Sequence, residues 1–105
     1  MTDSETPVLD TLAAMTAESL ARCGLDENSL ITARLAALVA VDAPAASYLM
    51  HIGPAMDAGV TVEQVQDILV AVAPIVGTAR TVSAAAKITE AIGITVIALE
   101  AELEG

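Results

Sequence analysis

The 105 residues carry fourteen acidic side chains against four basic ones, a formal charge of −10, on a composition that is 55% hydrophobic yet holds no Phe, no Trp and one Tyr. A chain of this length makes one domain; its charge repels nucleic-acid backbones and anionic lipid surfaces; its single cysteine excludes an intramolecular disulfide. An interior of alanine and aliphatic side chains buries little area per residue, so a short chain this apolar is expected to hide surface between identical subunits.

Each periodic segment reads as helix, and no alternating segment is long enough for a strand. The first helix follows Thr6, with Pro7 at its opening and Leu9, Leu12, Ala13, Thr16 and Leu20 on one face, and Gly24 ends it. The second runs from near Asp26 to about Val41 and is apolar nearly all round, which predicts cover on all sides, partly from a neighbouring subunit. The third has Asp42 as its cap, Pro44 in its first turn and Gly59 at its end, with a kink expected where Pro54 removes a donor from the Met50 carbonyl.

Thr61 caps a fourth helix, with Gln64 able to reach back to it as in a capping box. Its apolar side is Val62, Val65, Ile68, Leu69, Val72, Ile75 and Val76, and Pro74 and Gly77 bend or end it. The fifth spans roughly 78 to 92, with Val82, Ala85, Ala86, Thr89 and Ile92 inward and Arg80, Ser83, Lys87 and Glu90 outward. Gly93 allows a break before a last acidic segment, 94 to 103. The architecture is all-α, a compact bundle of five or six short helices in one domain: an N-terminal helix in residues 1–24, a core in 25–93 and an acidic C-terminal helix in 94–105. The opening Met1–Thr6 is acidic and polar, so no secretion signal is expected. The apolar run Ile68–Val76 is far short of the roughly 20 residues of a membrane-spanning helix, so a cytoplasmic location without a membrane partner is expected.

The chemistry-bearing residues are few. His51 is the only histidine; Ser47 lies one turn before it and Tyr48 three residues before it, so hydroxyls can orient the imidazole. Two readings stand: a partly buried histidine bonded to a neighbouring hydroxyl or carbonyl, and a general base in a small pocket. Arg34 sits among Ile31, Leu35 and Leu38, where an unpaired charge is costly, which suits an ion pair or a ligand contact. Arg80 and Lys87 read as solvated, and Cys23 as a half-buried thiol at a helix end. One histidine with no second soft ligand at metal spacing leaves nothing to hold zinc.

The order of features from about Leu25 to Ile92 resembles the carboxymuconolactone decarboxylase and alkylhydroperoxidase D-like superfamily: Leu25-Asp26 before an apolar helix, His51 eight residues before Gly59, the Gly59-Val60-Thr61 start followed by Glu63, Pro74-Ile75-Val76-Gly77, and an Ala-rich helix. Thiol peroxidases of that superfamily place a Cys-x-x-Cys pair seven and four residues before the histidine and a glutamate twelve residues before the first cysteine. Here those positions are Pro44, Ser47 and Thr32, so nucleophile, resolving thiol and carboxylate are missing together. The resemblance is instead to the branch without the cysteine pair. It implies cofactor-free decarboxylase or lyase chemistry on a small anionic compound, with His51 moving a proton and Arg34 or Arg80 holding a carboxylate. Ser47 and Tyr48 are further candidates for ligand contact. It also implies a trimer or hexamer. The alternative is a non-catalytic homo-oligomer of the same fold that binds a ligand or serves as a scaffold.

Overall fold

The computed structural model describes residues 4–104; Met1–Asp3 of the polar opening and Gly105 lie outside it. Among the described residues there are five helices and no strand: α1 (Pro7–Arg22), α2 (Glu27–Ala40), α3 (Ala45–Asp57), α4 (Val62–Val76) and α5 (Thr78–Glu104). The all-α bundle expected from the sequence is the fold. The body consists of α2 to α5, and its core is built from Leu35, Val39, Tyr48, Ile52, Val65, Ile68, Ala84, Ile88 and Ala91. No charged or polar side chain other than the Tyr48 phenol is buried among the described residues.

Local chemistry sets most of the boundaries. The Asp26 carboxylate accepts from the Ser29 amide at 3.2 Å and Thr61 Oγ1 from the Gln64 amide at 3.0 Å, so each satisfies a first-turn donor of its helix. α3 ends in a Schellman turn: Gly59, at φ 82°, donates to the Met56 carbonyl, and Val60 donates to Ala55 while its side chain enters the core.

Asp42 has a different role from the one expected. It does not cap α3, whose cap residue is Pro44. It takes φ 51° and closes α2 in a second Schellman turn, with its amide bonded to the Val39 carbonyl and the Ala43 amide to that of Leu38. An aspartate tolerates this left-handed position better than most side chains. Arg80 and Lys87 are not simply solvated either. Arg80 Nη1 donates to the Ala40 carbonyl at 3.0 Å; Lys87 Nζ donates to the Ala43 carbonyl at 2.8 Å and to Asp42 at 3.2 Å, beside the Ser83 hydroxyl at 2.8 Å from the same carboxylate. The exposed carbonyls at the C-terminus of α2 attract cations, and this rotates the inward face of α5 onto Ala84, Ile88 and Ala91 rather than Val82, Ala86 and Thr89.

Other expectations are corrected in the same way. Gln64 makes no capping box; its amide pairs with Asn28 across α2 and α4 at 2.7 and 3.2 Å and donates to Thr32 Oγ1 at 3.1 Å. Val62 and Ile75 of α4 face outward. α5 runs through Gly93 without a break, which makes it long and apolar enough, by length and composition, to cross a membrane. The half that carries Lys87, however, serves the bundle.

α2 is covered mainly by its own chain. Asn28, Thr32, Leu35 and Val39 form one stripe, and Glu27, Ile31, Arg34 and Leu38 a second about 100° around the helix. Only small side chains, Ser29, Ala33, Ala37 and Ala40, remain on its exposed side. The large exposed apolar side chains lie elsewhere, chiefly on α1 and on the last third of α5, from Ile94 to Leu103.

Candidate functional site

The second stripe of α2 faces α1 and α3, and between the three helices lies a cavity of about 260 Å³. α1 contributes Thr16 and Leu20; α2 contributes Glu27, Leu30, Ile31 and Arg34; α3 contributes Met50, His51 and Pro54. A shallower groove of about 300 Å³ adjoins it and shares Thr16, Arg34 and His51. Two of the residues singled out from the sequence, His51 and Arg34, therefore meet at one place. Helical spacing explains this: Ser47, Met50, His51 and Pro54 share one face of α3, while Tyr48, Ile52 and Ala55 share the face turned to the core.

His51 is half-buried, and its Nδ1 lies 2.7 Å from the Ser47 carbonyl oxygen. A carbonyl only accepts, so Nδ1 carries the proton and donates. The ring is thereby tethered to its own helix, with Nε2 on the opposite edge left to meet a ligand. The orienting group is the backbone of Ser47, not its hydroxyl. Arg34 is half-buried as well; its Nη2 donates to Ser19 Oγ at 3.1 Å and to the Thr16 carbonyl at 3.4 Å, both on α1. No carboxylate lies within ion-pair distance of it among the described residues, so its charge is met only by neutral acceptors.

The remaining candidates do not join this pair. Tyr48 is fully buried in the core, its hydroxyl has no hydrogen-bond partner among the described residues, and burial, then the Asp42 charge, pushes its ionisation above the usual phenol value. Arg80 is committed to the end of α2. Cys23 caps α1, half-buried, with its sulfur 3.5 Å from the Leu25 amide and outside the cavity lining. Thr32, where thiol-dependent relatives carry glutamate, serves the α2–α4 contact instead. The sequence reading missed Thr16, Leu20 and Glu27 as cavity residues, and the signal for them was slight: α1 shows an apolar face but nothing tells which element that face covers. A second void, about 20 Å³ among Ile52, Val60, Val65 and Ile92, is apolar packing space.

The molecule is thus a small all-α bundle in which one histidine, one arginine and one glutamate line a mainly apolar cavity. Over residues 7–91 the sequence matches the Carboxymuconolactone decarboxylase family, and the chain belongs to that family. The match takes in α1, beyond the segment from Leu25 that carries the motifs. No curated protein and no solved structure gave a significant match to the chain.

Proposed function

We propose that the cavity binds a small organic carboxylate or carbonyl compound and that His51 moves a proton on it, in cofactor-free chemistry of the decarboxylase or lyase type. The observation that carries this reading is the convergence of His51 and Arg34 on one cavity with His51 Nδ1 tethered. Size supports it too. A dry apolar cavity of about 150 Å³ admits benzene, so about 260 Å³ takes a ring with a carboxylate or lactone attached. Leu20, Leu30, Ile31, Met50 and Pro54 supply the apolar wall for that ring.

The roles follow from electron flow. When the bond between carbon and a carboxylate breaks, its electron pair passes into an adjacent carbonyl as an enolate, carbon dioxide leaves, and the imidazolium of His51 delivers its Nε2 proton to the carbon. A guanidinium on the departing carboxylate would stabilise the ground state and slow the step. Arg34 is therefore assigned to the enolate oxygen, where charge develops, or to a second carboxylate that stays. No thiol takes part, since Pro44 and Ser47 stand at the positions of the missing cysteines.

The same reading includes self-association in the cytoplasm as a trimer or hexamer. The accessible surface is 7114 Å², against about 5,500 Å² for a folded monomer of 10.6 kDa. The radius of gyration is 15.0 Å, against about 13 Å for a compact chain of this length. The excess comes from α1 and the end of α5, and the apolar side chains from Ile94 to Leu103 on the latter are those a second copy would cover.

The test is proton exchange and carbon dioxide release from a panel of small lactone and β-keto carboxylates in heavy water, followed by NMR. Turnover or isotope incorporation that disappears in His51→Gln is the expected result. Tight binding with neither would move the protein to the non-catalytic alternative.

A further inference from the structure

The contact between α1 and Arg34 does more than shape the cavity. α1 has no buried residue, and the hydrogen bonds that tie it to α2 both come from one atom, Arg34 Nη2. Its apolar contribution to the cavity is Leu20, itself 56% exposed. A helix with so little buried surface stands at the low end of local stability and opens more readily than the body beneath it. Two of the five guanidinium N–H groups are engaged by α1, and those on Nη1 and Nε make no other hydrogen bond among the described residues.

We propose that α1 is the lid of the cavity and that a bound carboxylate holds it closed through Arg34. The inference rests on the carboxylate-site reading above and adds regulation of access to it. The physical basis is shared ordering. A free arginine side chain gives up rotamer entropy to reach either α1 or a ligand. Once a carboxylate on Nη1 or Nε has fixed the guanidinium, the bonds to Thr16 and Ser19 form without that cost, and a closed α1 in turn excludes water that would compete for the anion. A carboxylate adds ion–ion attraction and two-pronged geometry to what the single neutral oxygens of Thr16 and Ser19 offer, so the ligand, not the lid, dominates the position of Arg34. By linkage the effect is reciprocal: the factor by which the ligand favours closure is the factor by which the closed form binds it more tightly, so loosening α1 weakens ligand affinity.

The experiment is hydrogen–deuterium exchange of the α1 amides in the full chain, with and without benzoate, alongside calorimetric measurement of benzoate binding. Saturating benzoate should slow α1 exchange about fivefold or more and leave the core helices unchanged. In the ligand-free protein Arg34→Gln should speed α1 exchange. Ser19→Ala, an exposed substitution that spares the fold, should do so too and should weaken benzoate binding, although Ser19 does not line the main cavity. Benzoate binding with no change in α1 exchange, or Ser19→Ala with unaltered affinity, overturns the lid and leaves the carboxylate site standing. Absence of benzoate binding to the wild-type chain overturns both.

Discussion

Replacing His51 with alanine separates a ligand-facing imidazole from a packed one. The lost interaction is one hydrogen bond, from Nδ1 to the Ser47 carbonyl at 2.7 Å, worth about 0.5–1.5 kcal/mol net. That carbonyl is also the i−4 acceptor for the His51 amide within α3, so the substitution strands no buried acceptor. Alanine recovers roughly 0.5 kcal/mol in helix propensity, and the space vacated opens onto a cavity that already exists. The expected cost is within about 1 kcal/mol, against about 2–5 kcal/mol for truncating a side chain in a closed core. Urea unfolding followed by circular dichroism gives the stability, and calorimetry with benzoate gives the affinity, which should be lost. Destabilisation above about 2 kcal/mol would show that the ring is a packing element and would refute the assignment.

Gly59→Ala places a side chain at φ 82° where an added Cβ meets nothing within 4 Å, so its cost is backbone strain alone, about 1–2 kcal/mol; an unchanged urea midpoint would contradict it. Tyr48→Phe removes a buried hydroxyl that has no partner and should leave thermal stability unchanged or raise it, because that group's desolvation goes uncompensated; a clear loss would reveal a partner for the phenol. Asp42 is held below the usual carboxylate range by the Ser83 hydroxyl and then by Lys87. A depressed folded-state value means that its stabilising contribution is present above the unfolded value, about 3.9, and is lost as pH falls through the folded one. Asp42→Asn, which keeps a residue tolerant of positive φ, should therefore be less stable than wild type near neutrality, with the gap closing below about pH 4. A gap independent of pH would show that the carboxylate charge contributes nothing.

How far the sequence could be read depended on whether a signal was local. Caps at Asp26 and Thr61 and the stop at Gly59 were legible because each acts within one turn. The inward face of α5 was not. An alanine-rich helix has little polar asymmetry, and its rotation is set by Arg80, Ser83 and Lys87 reaching the end of α2, forty residues earlier in the chain. Continuity through Gly93 was also hidden, since glycine weakens a helix without forbidding it. At the site, His51 and Arg34 were legible as unusual residues. That they converge depends on the packing of α1, α2 and α3. Tyr48 followed its helix face into the core, and its proximity to His51 in sequence gave the opposite impression.

The central claim is that His51 and Arg34 form one anion-binding site. Because His51 is the only histidine, its imidazole gives a single set of resonances in a long-range ¹H–¹⁵N spectrum, and benzoate can be titrated against it without ambiguity. The account predicts a saturable shift of the His51 Nε2 resonance while Nδ1 keeps its proton, with the Arg34 side-chain signals moving at the same benzoate concentration. Saturable binding that leaves the His51 and Arg34 signals in place, or no saturable shift up to millimolar benzoate, would contradict it.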